Sequence, residues 1–298
     1  MGSIASTTSS AAAVLVGAGG RTREEFEFAG ASGRRLFVGV AAPMAANPSA
    51  VVVICSPLFT DSIANYRREV ALARRLAEHG VAAVRFHYRG TGHSDGLATD
   101  LDLGGLIEDT KAVVDLIDSR FGRLPRGFVG TRLGAMVAAA AAECDRRVLL
   151  LWEPTLDPTE YLREIFRVRR MRGLVLRRPE QTTGEQLFGQ LAAGVDVDAL
   201  GYRITATLYR GLVDTSLRDE LIDRPGAALL VDFGDEVEPV AEISSLGSDL
   251  RSAGWEIEFD TVATEANWWL LGAQAPPPPE LIERSAKWLV HRLAGGAA

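Results

Sequence analysis

The spacing of apolar and polar residues changes several times along the chain, and each change predicts a different element. Polar and apolar residues alternate over 24–28 and 36–40 on either side of a glycine turn, which predicts an antiparallel hairpin at a sheet edge. Continuous apolar runs are typical of parallel strands covered on both faces. These runs lie at 51–55, 81–86, 128–129, 148–152, 227–233 and 255–259.

Between the apolar runs, apolar residues recur at helical spacing. The first predicted helix has Asp61 or Ser62 as its N-cap and Gly80 as its stop. Its apolar positions are Ile63, Tyr66, Val70, Ala73 and Leu76. Further helices are predicted over 103–119, 133–144 and 280–293. Strands and helices in alternation indicate a doubly wound α/β fold with a mostly parallel sheet of eight strands.

The alternation stops between residues 155 and 223, where helical patterns dominate. This segment predicts a helical cap inserted after the sixth strand, over the C-terminal ends of the strands. The core domain is then 22–154 and 224–298, and residues 1–21, rich in Ser, Ala and Gly, predict a disordered tail. Residues 161–178 carry seven arginines against one acid, Glu164. They either attract an anionic, carrier-linked substrate or form a solvated helix face.

Composition narrows the classes of partner. The net charge of −7 argues against nucleic acid. No apolar stretch reaches the roughly 20 residues of a membrane span. Two cysteines are too few for a disulfide framework or a zinc site, so we expect a reducing, cytoplasmic setting and no metal or cofactor. A small-molecule substrate is the expected partner, and self-association as a homodimer stays open.

One turn is marked by its glycines. Val129 ends an apolar run, Gly130 and Gly134 flank the turn, and an Ala-rich helical segment follows. A strand, a tight turn and a helix with glycines at both ends form the nucleophile elbow of Gly-x-Ser-x-Gly hydrolases, because the glycines let strand and helix approach closely. The central residue here is Arg132, whose guanidinium cannot attack a carbonyl. The sequence therefore predicts an elbow without its usual nucleophile.

Several segments resemble one family. Residues 84–96 (VRFHYRGTGHSDG) resemble the loop after the fourth strand of serine-aminopeptidase-like α/β-hydrolases. A narrower resemblance is to the exosortase-system-associated hydrolases (type 2), a branch that also carries Arg at the elbow. The segments that carry it are 65–68 (NYRR), 130–135 (GTRLGA), 151–154 (LWEP) and 201–202 (GY). The resemblance covers about residues 35–292 and implies the α/β-hydrolase fold rather than a particular reaction.

The resemblance also locates the other positions of a catalytic triad. Asp235, after the predicted strand 227–233, matches the family's catalytic acid. The base is expected after the eighth strand, but residues 264–269 contain no histidine, and the only histidine after Arg132 is His291. A Ser-His-Asp mechanism needs an imidazole to take the hydroxyl proton. Two of the three triad positions are therefore changed while the acid is kept.

The altered elbow is predicted to bind an anion. Its central side chain stands at a helix N-terminus, which favours negative charge, and the N–H groups of Leu133 and Leu58 match the family's oxyanion hole. An arginine grips a carboxylate or phosphate with charge-assisted bonds of about 1.5–3 kcal/mol each. The alternative is an ion pair between Arg132 and Asp235 that involves no ligand.

Other polar and aromatic side chains are expected around the same rim. Glu153 and His87 are candidates for proton transfer, and the alternative for His87 is a structural role. The two tryptophans of the base position either stack on a flat or cationic ligand or belong to the core. The predicted substrate-binding residues are Ser94, Tyr88, Trp268 and Trp269. A replacement nucleophile is sought among Cys55, Ser56, Ser94 and Thr131, none of which has an evident partner base in the sequence.

Three functions remain open. The first is an enzyme without a triad that acts non-covalently on an anionic or acyl molecule, a carboxylate or thioester, in a biosynthetic pathway; Arg132 holds the anion while Glu153, Asp235 or His87 moves a proton. The second is an esterase or thioesterase with a relocated nucleophile. The third is a catalytically inactive protein that binds an acidic ligand or partner. The polar rim favours the first of these.

Overall fold

Strands and helices alternate along the chain. The computed structural model describes residues 13–17, 19–30, 33–44, 46–142, 147–177, 181–234, 239–264, 268–270 and 276–295. Its strands are β1 (Ala13–Val16), β2 (Thr22–Ala29), β3 (Leu36–Pro43), β4 (Ala50–Cys55), β5 (Val81–Phe86), β6 (Arg126–Thr131), β7 (Arg147–Trp152), β8 (Val197–Ala199), β9 (Tyr202–Ile204), β10 (Gly226–Phe233) and β11 (Glu256–Val262). Its α-helices are α1 (Phe59–Glu78), α2 (Leu103–Phe121), α3 (Gly134–Ala141), α4 (Pro158–Val175), α5 (Gly184–Ala192), α6 (Ala206–Val213), α7 (Leu217–Ile222), α8 (Ala241–Ser252) and α9 (Pro279–Ala294).

Nine of the described strands form one sheet, in the order β1-β2-β3-β5-β4-β6-β7-β10-β11. The strands from β5 to β11 in this order are parallel. Antiparallel pairing is confined to the edge formed by β1, β2 and β3. The chain moves outward from β4 in both directions, so the carboxyl ends of β4 and β6 lie side by side at the point where this type of fold places its site.

The continuous apolar runs are explained by burial on both faces of the sheet. Val51 and Val53 belong to one core layer, whereas Val52 and Ile54 belong to the other. Helices α2, α3 and α8 contribute side chains to the first layer, and α1 and α9 contribute to the second. Both layers are apolar because neither face of a central parallel strand meets water.

The N-terminal end of the sheet differs from the sequence prediction. Residues Ala13–Val16, expected in the disordered tail over 1–21, form β1 and pair with β2. The sheet therefore has nine described strands rather than eight. The free edge of β2 offers unpaired N–H and C=O groups that a short apolar strand can satisfy. The first 12 residues lie outside the described part of the chain.

The start and the buried face of α1 also correct the prediction. The helix begins at Phe59, with Leu58 as N-cap, so neither Asp61 nor Ser62 caps it. Ile63 and Tyr66, predicted to face the core, are 52% and 44% exposed. The first half of α1 instead buries polar side chains, because these find charged partners at the strand ends. They are Asp61, Asn65, Arg68 and Glu69.

The segment between β7 and β10 contains α4 to α7 and an antiparallel hairpin of β8 and β9, where the sequence predicts helices alone. Leu162 of α4 and Leu191 of α5 share the core layer of α2 and α3. Arg167, Arg170 and Arg172 of α4 are exposed. A lid role for 155–223 stays a prediction. No helix in the described ranges is long and apolar enough to cross a membrane.

Candidate functional site

The turn after β6 has the strained geometry of an elbow. Arg132 has a φ of +50°, a left-handed value that arginine rarely adopts. A Cβ on Gly130 would lie 2.5 Å from the Cα of Ala135, and a Cβ on Gly134 would lie 2.2 Å from the carbonyl oxygen of Cys55. Only glycine fits at these two positions. The strand β6, the helix α3 and the end of β4 therefore meet closely at Arg132, as the glycine spacing predicts.

Arg132 is buried and surrounded by carboxylates. The residue is 5% exposed. Its Nε donates to Oδ2 of Asp61 at 2.6 Å and its Nη1 donates to Oε1 of Glu153 at 3.2 Å. Its Nη2 donates to the carboxylate of Glu164. These acids come from α1, from the end of β7 and from α4, so one guanidinium ties the elbow to three parts of the fold.

Aromatic rings complete this group. The Cζ of Arg132 lies 5.0 Å from the ring centre of Trp269 and 5.5 Å from that of Tyr161. The indole N–H of Trp268 donates to Glu153, and Arg68 lies 4.1 Å over the Trp268 ring. The segment that the family resemblance assigns to the catalytic base therefore supplies indoles instead. We call Arg132, Asp61, Glu153, Glu164, Trp268 and Trp269 the elbow cluster.

Burial and crowding of charge change the protonation of the elbow cluster. Burial raises the pKa of Asp61 to about 6 and that of Glu153 to about 7, although Arg132 acts in the opposite direction on both. Burial alone would lower the pKa of Arg132, but the three carboxylates raise it. Arg132 therefore stays charged, while Asp61 and Glu153 take up a proton closer to neutral pH than an exposed carboxylate does.

A cavity of about 540 Å³ lies beside the elbow cluster, and no side chain of the cluster lines it. Its wall comes from β2, β3, the end of β5, the segments after β4 and β5, the first half of α1, and β9. Its aromatic lining residues are Phe26, Phe37, Phe59, Tyr66, Phe86, Tyr88 and Tyr202. Its ionisable lining groups are Glu69, Arg85, His87 and Arg203, beside Ser56. An apolar wall with a few polar groups is typical of small-molecule sites. We call this the side cavity.

Ser56, directly after β4, faces the side cavity and has a carboxylate partner. Its Oγ donates to Oε2 of Glu69 at 2.8 Å. The Nδ2 of Asn65 donates to Oε1 of Glu69 at 2.8 Å and to Oγ1 of Thr131 at 3.0 Å. Burial raises the pKa of Glu69, against the hydrogen bonds from Ser56 and Asn65 and the charge of Arg85. A chain of hydrogen bonds therefore links the elbow to the cavity.

Three of the predicted rim residues lie in the loop after β5, at the cavity rather than at Arg132. His87 lines the cavity, its Nδ1 accepts from the N–H of His93 at 3.0 Å, and burial lowers its pKa to about 4. The Oγ of Ser94 donates to the carbonyl of His87 at 2.6 Å and accepts from the N–H of Phe37 at 2.9 Å. Tyr88 is buried in the cavity wall. His87 is thus a neutral imidazole, and Ser94 holds the loop against β3.

The other predicted residues divide between the two regions. Leu58 lines the side cavity, and its carbonyl accepts from the hydroxyl of Tyr161 at 2.9 Å. Leu133 is buried as the N-cap of α3. Trp268 and Trp269 contact arginines of the chain itself. The cation at these rings is therefore supplied by the protein and not by a ligand. Asp235, and with it the predicted ion pair to Arg132, lies outside the described residues.

The candidate nucleophiles are not equivalent. Cys55 is fully buried, and burial raises the pKa of its thiol to about 12. Thr131 is fully buried and Ser94 is engaged on both sides. Ser56 alone among the four combines a place in the cavity wall with a carboxylate partner. The sequence shows no partner base for any of them, and the structure corrects this for Ser56.

Sequence reasoning missed the acidic and amide groups of α1. Asp61, Asn65, Arg68 and Glu69 follow one another at spacings of three or four residues, or stand side by side, and so share one helix face. This polar stripe was a usable signal, but the apolar positions at 63, 66 and 70 predicted the opposite face to be buried. Glu164 carried a second signal, as the single acid in an arginine-rich helix.

The chain is similar to several known hydrolases. Residues 46–186 match the model of the family described as serine aminopeptidase, S33. Est1E from Butyrivibrio proteoclasticus, solved with ferulic acid bound, superimposes with a TM-score of 0.62 at 18% identity, over 90% of this chain and 99% of that chain. A putative hydrolase from Agrobacterium vitis gives 0.58 at 17%, over 91% and 99%. Dienelactone hydrolase from Anabaena variabilis gives 0.55 at 12%, over 92% and 99%. No curated protein sequence matches the chain.

These similarities agree with the topology of the sheet. The predicted α/β-hydrolase fold is confirmed, and the match to the serine aminopeptidase family supports a place in that superfamily. Two of these three structural neighbours are named as hydrolases, but at identities below 20% all three show the fold alone. The chemistry of this chain must therefore be argued from its own side chains.

Proposed function

We propose that the chain is an α/β-hydrolase-fold enzyme without a Ser-His-Asp triad, which acts on a small acyl or aromatic compound in the side cavity. The observation that carries this proposal is the separation of two regions. Arg132 is buried among three carboxylates, whereas the cavity next to it has the volume and the lining of a ligand site. The elbow is then structural, and the ligand lies beside it.

The lining indicates the class of ligand. Seven phenylalanine and tyrosine side chains line the cavity and suit a flat or acyl group. Arg203 of β9 lies at the rim and suits a carboxylate or ester oxygen. Ferulic acid, found in Est1E, belongs to this chemical class. We also propose a biosynthetic role and a carrier-linked acyl group. The resemblance to the exosortase-associated branch supports the biosynthetic role, and the exposed arginines of α4 support the carrier.

We do not propose that Arg132 binds a substrate anion directly. A substrate carboxylate at the guanidinium would add negative charge next to Asp61, Glu153 and Glu164, which already pair with Arg132, and like charges in contact repel. The elbow cluster also favours a second candidate, a protein that binds the same ligand without turning it over, because the nucleophile position holds an arginine that is paired with three carboxylates. The two candidates share the cavity and differ only in turnover.

Calorimetric titration of ferulic acid into matched variants tests the location of the site. Ile63 lines the cavity and is 52% exposed, so Ile63→Trp fills the mouth without disturbing the core. Val213 of α6 is 39% exposed and is absent from the lining, so Val213→Trp is the control. We expect Ile63→Trp to weaken binding about tenfold or more, a change of at least about 1.4 kcal/mol, and Val213→Trp to leave it unchanged. Undiminished binding in Ile63→Trp, or binding abolished in a folded Arg132→Gln variant, would place the ligand at the elbow and overturn the proposal.

A further inference from the structure

We infer that Ser56 is the nucleophile of this protein and Glu69 its general base, held in place by Asn65, so that the side cavity cleaves an ester or thioester without histidine. The inference rests on the proposed function, because it needs an acyl compound in the side cavity. It assigns the chemistry to the end of β4, not to the elbow after β6.

The geometry is that of an activated nucleophile. The Oγ of Ser56 lies 2.8 Å from Oε2 of Glu69, within the range expected between a nucleophile and its base. Ser56 is partly exposed in the cavity wall, whereas Glu69 behind it is 2% exposed. Because the hydroxyl proton is directed to the buried carboxylate, the lone pairs of Oγ remain available to a ligand in the cavity.

Asn65 orients the base, which is the role of the aspartate in a Ser-His-Asp triad. Its Nδ2 holds the second oxygen of Glu69 at 2.8 Å and is itself bonded to Thr131 at 3.0 Å, so the carboxylate is fixed relative to Ser56. Asn65 is fully buried and is a positioning residue rather than a catalytic one.

The surroundings of Glu69 suit a base. Burial raises its pKa, which makes the carboxylate a stronger proton acceptor than an exposed glutamate. The charge of Arg85, on β5, favours the ionised form. The other titratable groups that interact with it are the thiol of Cys55, at the end of β4, and the phenol of Tyr88, after β5. Burial keeps both of these protonated, so Arg85 is the charge that faces Glu69.

The cavity also offers donors for an oxyanion. Helix α1 begins three residues after Ser56, and its first turn forms part of the cavity wall. Leu58 is the N-cap of this 20-residue helix and makes no side-chain hydrogen bond to its first N–H groups. A helix N-terminus favours negative charge. Phe59 there has a φ of +56°, a strained value of the kind that collects at functional sites.

The reaction balances without a cofactor. Oγ of Ser56 bonds to the acyl carbon, its proton passes to Glu69, and the carbonyl electron pair moves to oxygen. When the carbonyl reforms, the bond to the leaving alkoxide or thiolate breaks, and that group takes the proton from Glu69. Water then attacks the acyl-serine, gives one proton to Glu69 and adds its hydroxyl to the acyl carbon. The Ser56–acyl bond breaks, Oγ recovers the proton, and a carboxylic acid is released.

Labelling with a fluorophosphonate tests the assignment. The full chain is incubated with the probe, intact mass follows the adduct, and peptide fragmentation locates it. We expect labelling at Ser56 and its loss in Ser56→Ala. Ser49, with its hydroxyl on the carbonyl of Gly80, precedes the same strand β4, and Ser49→Ala should label like the parent protein.

The isosteric Glu69→Gln variant separates chemistry from structure. It keeps an acceptor for Ser56 but removes the base, so we expect the labelling rate to fall about a hundredfold or more. The rate in the parent protein should rise with pH as Glu69 ionises, whereas the rate in Glu69→Gln should lose this rise. A role confined to packing would leave the pH profile unchanged.

The outcomes of the two experiments differ. Labelling that persists in Ser56→Ala, or no labelling of a protein that binds ferulic acid in the side cavity, overturns the inference and leaves the cavity as a binding site. Ferulic acid bound outside the side cavity overturns the proposed function, whatever Ser56 does. Folding of Ser56→Ala is verified by a cooperative unfolding transition in urea and by a circular dichroism spectrum that matches the parent protein.

Discussion

The elbow cluster and the side cavity lie at neighbouring strand ends of one sheet and have opposite characters. The elbow is closed, with one guanidinium, three carboxylates and two indoles in contact. The side cavity is open to a ligand and carries seven phenylalanine and tyrosine side chains, with one hydrogen-bonded Ser–Glu pair. The comparison shows how the turn that usually carries the nucleophile of this fold can instead hold a buried ion-pair cluster. The polar groups that face the cavity then come from neighbouring segments.

The closed region explains why a strained arginine persists. A positive φ at a residue other than glycine typically costs about 1–3 kcal/mol and needs surroundings that enforce it. Here the close approach at Gly130 and Gly134 fixes the turn, and three carboxylates hold the side chain. The charges are mutually dependent, because each would be a buried unpaired charge without the others. The side chains of the cavity are held differently: hydrogen bonds from Ser56 and Asn65 hold Glu69, and Arg85 lies 3.6 Å from Glu24.

The largest effect is expected from Arg132→Ala. The variant leaves the buried Asp61 and the partly buried Glu153 and Glu164 without their common cation, so the free energy of unfolding should fall by about 3–5 kcal/mol in urea titration. Arg163→Ala is the matched control, because Arg163 pairs with Glu160 on the exposed part of α4, and its loss should change stability by less than about 1 kcal/mol. Equal stability of both variants would show that the elbow cluster is not closed in solution.

The second-largest loss of stability is expected from a substitution that disturbs the backbone of the elbow. Gly134→Ala puts a Cβ 2.2 Å from the carbonyl oxygen of Cys55, and backbone on both sides has to move. We expect a loss of about 1–3 kcal/mol in the free energy of unfolding. A Cβ on Gly189 of α5 would meet no atom within 4 Å, so Gly189→Ala should instead stabilise by about 0.5–1 kcal/mol. A neutral Gly134→Ala would mean that strand and helix are less close than the structure shows.

The sequence predicts the strands of the parallel core accurately, but it does not predict the contacts within the elbow cluster. The strand Val81–Phe86 is predicted with its observed bounds, because burial on both faces leaves an unbroken apolar run. Arg132 is found because glycines at fixed spacing mark an elbow. Asp61 is taken for a helix cap because a local reading cannot see a partner 71 residues away. The polar stripe of α1 marks a buried face but does not identify the partners of its ion pairs, and a cavity formed by many distant segments leaves no periodic pattern.

The third prediction concerns pH. The folded-state pKa of Glu153, about 7, lies above its ordinary value of 4.5. The folded protein therefore binds the proton more tightly than the unfolded chain, and this contribution to stability is complete below about pH 4.5 and lost as pH rises to about 7. The stability of the parent protein relative to Glu153→Gln should fall across that interval by about 1–3 kcal/mol. A relative stability that rises instead would mean that attraction to Arg132 outweighs burial.

The smallest effect on the free energy of unfolding is expected from replacing an arginine in the wall of the side cavity. Arg203 lies at the cavity rim, its side chain is 51% exposed, and its Nε is 3.4 Å from Oδ2 of Asp196. Exposed ion pairs of this kind contribute little, so Arg203→Ala should change the free energy of unfolding by less than about 0.5 kcal/mol in the same urea titration. Its affinity for ferulic acid should nevertheless fall several-fold, because a cation near the bound carboxylate is lost. A loss of stability close to that of Arg132→Ala would show that the cavity wall, like the elbow, is held together by its charges, and the contrast between the two regions would then disappear.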